Sequence, residues 1–150
     1  MDAGEGKIKT KNIGVAVAAL RSGRCARLST GFGGAGWGDA EAGRLADALT
    51  AAGGGGGGAR LEVLQLGDNG IGDAGAGCLA DAVESGACPA LCAINLGRNR
   101  IGDAGAGRLA DAAESGACPA LRTINLDYNP NVGDAARARL IEACKPENCA

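Results

Sequence analysis

The chain has 150 residues, enough for one domain, and its 15 basic and 17 acidic side chains leave a net charge of −2. That balance, with only three aromatics (Phe32, Trp37 and Tyr128), provides neither the electrostatic footprint nor the stacking surface of a nucleic-acid binder. The absence of histidine removes the commonest general base and neutral metal ligand, and no apolar run approaches the ~20 residues that span a bilayer.

Residues 1–12 read as a flexible tail. Lys7, Lys9 and Lys11 precede the apolar run Ile13–Leu20, the order of a signal peptide's charged and apolar regions. The run is short, however, and meets Arg21 and Arg24 at once. Residues 13–21 read instead as the helix of a partial capping unit over 13–27, and residues 28–60 as a degenerate repeat. The evidence for that repeat lies downstream, where Gly38–Leu49 matches Gly72–Val83 and Ser22–Leu28 matches Ser85–Leu91. This alignment sets Leu28 level with Leu91 and predicts a poor strand, with Gly31 and Gly33 near leucine positions. Gly31–Gly36 spells G-x-G-x-x-G, but no apolar strand precedes it and no acidic residue stands at the expected distance. The insertion Gly53–Gly58 falls in the loop before the next strand, and no Lys-Ser/Thr follows it to make a phosphate cradle.

Three 30-residue units follow: 61–90, 91–120 and 121–150. A fixed period of this length signals a solenoid, in which each unit contacts mainly its neighbours. Each unit opens L-x-x-L-x-L-x-x-N-x-I: Leu61, Leu64, Leu66, Asn69 and Ile71, then Leu91, Ile94, Leu96, Asn99 and Ile101. The third gives Leu121, Ile124, Leu126, Asn129 and, after one inserted residue, Val132. The alternation predicts a short strand with one buried face, ended by an Asn whose amide satisfies turn backbone inside the stack.

The second half of each unit predicts a helix. Asp73 is the expected N-cap, with Ala76, Leu79, Ala80 and Val83 on one face. Gly86 suits the C-terminal cap, and Pro89 prevents continuation. Asp103, Ala106, Leu109, Ala110 and Ala113 repeat the pattern. In the last unit Arg137, Arg139 and Lys145 supply the polar face that a terminal repeat needs. Of the seven cysteines, Cys25, Cys88, Cys118 and Cys149 fall at one repeated position. They read as structural thiols, since no C-x-x-C pair offers a zinc site.

These residues resemble the leucine-rich repeat superfamily, specifically its ribonuclease-inhibitor-like class. The marks are the leucine and asparagine spacing, the full helix, and the I-G-D-A-G-A-x-x-L-A-D-A stretch. The resemblance is strong over 61–144 and weak over 13–60, and the 30-residue unit is slightly long for the family. It implies an α/β solenoid, a short horseshoe with parallel strands on the concave face and helices on the convex one. About four and a half repeats are expected.

The resemblance also implies a non-catalytic module with a protein partner, no nucleic acid, no membrane insertion, and neither cofactor nor metal. The expected partner-binding residues on the concave face and rim are Val63, Gln65, Asp68, Asn95, Arg98, Arg100, Arg122, Thr123, Asn125, Asp127 and Tyr128. Arg98, Arg100, Arg122 and Tyr128 are the best anchors by residue type. The competing readings are a solvated, unused face, a structural subunit of a larger assembly and, lower, a regulator of a GTPase or another enzyme. An intracellular location is expected, because no signal or spanning segment stands out.

Overall fold

The computed structural model describes residues 7–22, 25–31, 34–51 and 60–144. Strand and helix alternate through β1 (Lys7–Lys9), α1 (Ile13–Arg21), β2 (Arg27–Ser29), α2 (Asp39–Ala51), β3 (Val63–Gln65), α3 (Asp73–Glu84), β4 (Ala93–Asn95), α4 (Asp103–Glu114), β5 (Thr123–Asn125) and α5 (Asp134–Ala143). The five strands form one parallel sheet in chain order, and each helix packs on the next.

Each strand is three residues long because each has one residue to bury. Ile8, Leu28, Leu64, Ile94 and Ile124 stand in register across the sheet. The middle three are buried, and the outer two are partly buried. Leu61, Leu66, Ile71, Leu79 and their equivalents in the next unit complete the core between sheet and helices. Ala76 and Ala80 are fully buried, so the many alanines allow the helices close approach. Gly86 and Gly116, with φ of +81° and +78°, end α3 and α4 in the left-handed conformation that glycine adopts without strain.

The asparagines hold the turns. Asn99 Nδ2 donates to the carbonyls of Leu66 and Leu96, both at 3.0 Å, while its Oδ1 accepts the Ile71 N–H at 3.1 Å. Asn129 does the same for Leu96, Leu126 and Ile101. Each amide therefore joins two units at a depth where water cannot serve the backbone.

Three expectations are corrected. Residues 7–12 are not tail: Lys7-Ile8-Lys9 alternates exposed and partly buried residues as β1, and Asn12 caps α1 by accepting the Val15 N–H at 3.1 Å. The described residues thus hold five strand–helix units. Secondly, Leu28 pairs with Leu64. That register puts Cys25 level with Leu61, not Cys88, and it makes the segment joining β2 to α2 two residues longer than its counterpart in the next unit. Cys25 is buried, but as a substitute for a leucine.

The third correction concerns the helix starts. Asp73 is the first residue of α3 and its N-cap is Gly72, which makes no side-chain cap bond. The Asp73 carboxylate instead serves the neighbouring helix, accepting the N–H groups of Gly102 at 2.7 Å and Gly105 at 2.9 Å. Asp39 does the same for Gly72 and Gly75, and Asp103 accepts from Gly133. Among the described residues no helix is long and apolar enough to cross a membrane.

Candidate protein interface on the strand face

Residues flanking the buried strand centres point away from the helices and form two rows across the sheet. One runs Lys7, Arg27, Val63, Ala93, Thr123; the other runs Lys9, Ser29, Gln65, Asn95, Asn125. The second row borders a hollow of about 1110 Å³ lined by residues from all five strands.

Seven of the expected contact residues line this hollow: Gln65, Asp68, Asn95, Arg98, Asn125, Asp127 and Tyr128. Val63 and Thr123 share the strand face in the first row but do not line it. Arg100 and Arg122 are exposed outside it, Arg100 past the buried Asn99 and Arg122 ahead of β5. Sequence reasoning missed Lys7, Lys9 and Arg27, which line the same hollow at its β1–β2 side. The signal was the alternation Lys7-Ile8-Lys9-Thr10, short and without a leucine at its centre.

The two asparagine amides of the second row turn back on their own strands. Asn95 Oδ1 accepts the Gly97 N–H at 2.9 Å, and Asn125 Oδ1 accepts the Asp127 N–H at 2.8 Å. These bonds fix the amides as a preformed polar surface. Beyond them the backbone bends sharply. Asp68, Arg98 and Tyr128 occupy equivalent positions with φ of 60°, 56° and 61°. The left-handed region costs a non-glycine residue roughly 1–2 kcal/mol. Here the turn directs the Asp68 N–H to the Gly97 carbonyl and the Arg98 N–H to the Asp127 carbonyl, at 3.0 and 2.8 Å, so that consecutive units stay bonded.

Arg98 and Tyr128 use that position. The Arg98 guanidinium carbon lies 4.6 Å from the Tyr128 ring centroid, a cation–π stack, and Tyr128 is 71% exposed. Next to them Arg137 donates to the Leu126 carbonyl at 3.1 Å and pairs with Asp127 at 3.4 Å. Lys145, expected to extend this polar end, lies outside the described residues, as does Cys149.

The remaining chemical candidates belong to the scaffold. The described cysteines form no disulfide. Burial pushes the Cys25 thiol up to about 11 and the Cys88 thiol up to about 12, far from a reactive thiolate. Cys118 donates to the carbonyls of Cys88 and Leu91. Among the described residues no three acidic or thiol side chains converge on a metal position. In the glycine-rich segment, the Ala35 and Trp37 N–H groups both donate to Asn69 Oδ1, at 2.9 and 3.1 Å. Those donors hold the next unit rather than a phosphate. The insertion Gly53–Gly58, with Phe32 and Gly33, lies outside the described residues.

The family model of the Leucine Rich repeat matches residues 61–80 and 88–110. With five strand–helix units in one parallel sheet among the described residues, the chain carries leucine-rich repeats and folds as a leucine-rich-repeat solenoid. Among solved structures it is similar to one titled Leiomodin-1 Actin-Binding Site 2 (ABS2), with a TM-score of 0.69 at 14% identity over 92% of this chain and 73% of that one. No curated protein matches the sequence. The likeness to the leiomodin fragment is one of fold.

Proposed function

We propose that this chain is a non-catalytic protein-recognition module, of the ribonuclease-inhibitor-like type, that binds its partner in the hollow of the strand face. The observation that carries this reading is the Arg98–Tyr128 stack at the rim, held on strained backbone beside a row of fixed amides. Arginine and tyrosine are the residue types that dominate binding energy, and local backbone strain tends to sit where function needs it. The use of this fold in a leiomodin actin-binding site supports protein recognition as its mode without passing actin to this chain. A reducing intracellular setting fits a chain with buried, scaffold-type thiols.

The second reading is a structural subunit packed into a larger assembly. Its support is Ile141, 67% exposed on α5 at the β5 end of the stack. A photo-crosslinking amino acid placed at Gln65, Ile141 or the exposed Ala104 on the helix side decides between them in a native extract. Capture of a discrete protein from position 65 alone supports the strand face. Capture from position 141 alone supports the subunit, and capture only from position 104 defeats both. A GTPase-directed or enzyme-inhibiting role is a narrower form of the first reading, and Arg98 is its best-placed cation.

A further inference from the structure

The hollow does not share the charge of the protein. Four of its lining side chains are basic (Lys7, Lys9, Arg27 and Arg98) and two are acidic (Asp68 and Asp127), a net +2 on a chain of net −2. The charges are also sorted along the sheet. Arg98 is stacked on Tyr128, and Asp127 is paired with Arg137, both at the β4–β5 side. At the other side Lys7 and Arg27 stand directly opposite one another in the β1–β2 register, and both are exposed. Among the described residues neither makes an ion pair. Like charges opposed across adjacent strands destabilise the pairing. Two such charges at one end of a binding hollow therefore call for a counter-charge from outside.

Resting on the binding reading above, we propose that the partner presents an acidic, extended peptide segment whose carboxylates lie over β1 and β2, against Lys7 and Arg27. Five strands at ~4.8 Å spacing span roughly 19 Å, the length of about six extended residues. Such a segment crosses the Gln65 side chain and the fixed amides of Asn95 and Asn125, which offer hydrogen bonds without charge, and reaches the Arg98–Tyr128 rim at its far end. Electrostatic complementarity of this kind sets orientation and partner choice more than raw affinity. A nucleic-acid strand supplies the same negative charge, but a net-negative protein with one exposed aromatic in the hollow has little to stack on bases.

Fluorescence anisotropy with labelled hexaglutamate, hexaglutamine, hexalysine and a six-residue oligothymidine tests this directly. Hexaglutamate is expected to bind best, with affinity falling as salt rises. The double variant Lys7→Glu/Arg27→Glu, checked for intact folding by circular dichroism and urea titration, is expected to lose tenfold or more, on the order of a close charge pair at each site. Arg44→Glu, which changes net charge at an exposed position of α2 outside the hollow, is expected to stay within about twofold of the parent. Equal binding of hexaglutamine, equal loss in Arg44→Glu, or tighter binding of the oligothymidine overturns the proposal. If that happens while position 65 still captures a protein, the strand-face reading stands and only the acidic partner falls.

Discussion

The Asp73 carboxylate lies 2.9 Å from the backbone nitrogen of Gly105, and a methyl group on Gly105 would stand 2.7 Å from that same oxygen. One contact thus explains both residues. The carboxylate satisfies two otherwise orphaned N–H groups at the start of the next helix, where the helix dipole also favours negative charge. Glycine is required where the carboxylate docks. Asp39 and Gly75 repeat the arrangement one unit earlier, again with 2.7 Å from the would-be methyl to the oxygen. The exception follows the same logic. Helix α1 begins with Ile13 and offers α2 no such aspartate; there Glu41, at the position of Gly75, caps Gly38 at 2.7 Å within its own helix.

Removing the Asp73 carboxylate is expected to destabilise the fold through α4 rather than α3. Asp73→Ala leaves the Gly102 and Gly105 N–H groups without their acceptor, a cost of about 1–3 kcal/mol for a part-buried pair. Asp73→Asn keeps an acceptor oxygen and should cost less. Urea unfolding checks the magnitude, and hydrogen exchange locates it. Faster exchange at the start of α3 instead of α4 would contradict the assignment.

Two glycine-to-alanine changes in neighbouring helices should move stability in opposite directions. In an open helical site alanine gains up to ~1 kcal/mol over glycine. Gly77→Ala meets that condition, because its new methyl would find only the Arg108 guanidinium at 3.8 Å. Gly105→Ala would collide with Asp73 Oδ1 and with Ile101 Cγ2 at 2.9 Å, so it should destabilise despite its better propensity. Thermal melts of the two variants are sufficient. A Gly105→Ala midpoint at or above the parent value would mean the carboxylate can move aside without loss.

The strand positions and helix faces of residues 61–144 were legible because the period places Leu64, Ile94 and Ile124 in one row, and a buried row tolerates little drift. The capping geometry was not, since a sequence shows Asp73 beside its own helix and not against the next one. Leu28 was misplaced by the same limitation. The helix match fixes one offset between units and the sheet register another, and only hydrogen bonding reveals the two-residue difference. On the strand face, the residues that differ between copies were found from the pattern. Lys7 and Arg27 were not, because their strands carry Ile8 and Leu28 as lone apolar residues between charged or hydroxyl neighbours. Trp37, buried two residues ahead of α2 as Ile71 is ahead of α3, shows a similar substitution of size for pattern.

The cysteines should divide by burial when labelled. At pH 8, Cys78 and Cys92, both partly exposed, should react with a thiol reagent while Cys25, Cys88 and Cys118 wait for unfolding. The raised thiols also set an alkaline limit. Cys25 and Cys88 keep their protons in the folded state to about 11 and about 12, whereas an unfolded thiol loses its proton near 9. Their contribution to stability is therefore complete below pH 9 and is lost as pH rises through the folded values. Urea midpoints at pH 8 and pH 10 should fall in that order in the parent, and less so in Cys25→Ala/Cys88→Ala. Equal slopes in both proteins would assign the alkaline loss to other groups.

The helix side carries an incomplete ladder that one substitution should finish. Arg108 of α4 pairs with Asp81 and Glu84 of α3, and Arg139 of α5 pairs with Asp111 and, at 2.8 Å, Glu114 of α4. The Arg139 hydrogen bond holds the Glu114 carboxyl below its usual range, so that contribution is present at neutral pH and is lost as pH falls through the lowered value. Each arginine packs over a glycine of the preceding helix, Arg108 over Gly77 and Arg139 over Gly107. On α3 the equivalent residue is Cys78, with its sulfur 3.9 Å from a methyl built on Gly43, and Asp47 stands where Asp81 and Asp111 stand in the following units. Cys78→Arg should reach Asp47 and raise stability by less than about 1 kcal/mol, the range of an exposed pair. Because salt screens such pairs, the gain should disappear near 1 M sodium chloride. A gain that survives high salt would point to packing of the arginine stem over Gly43 instead of charge.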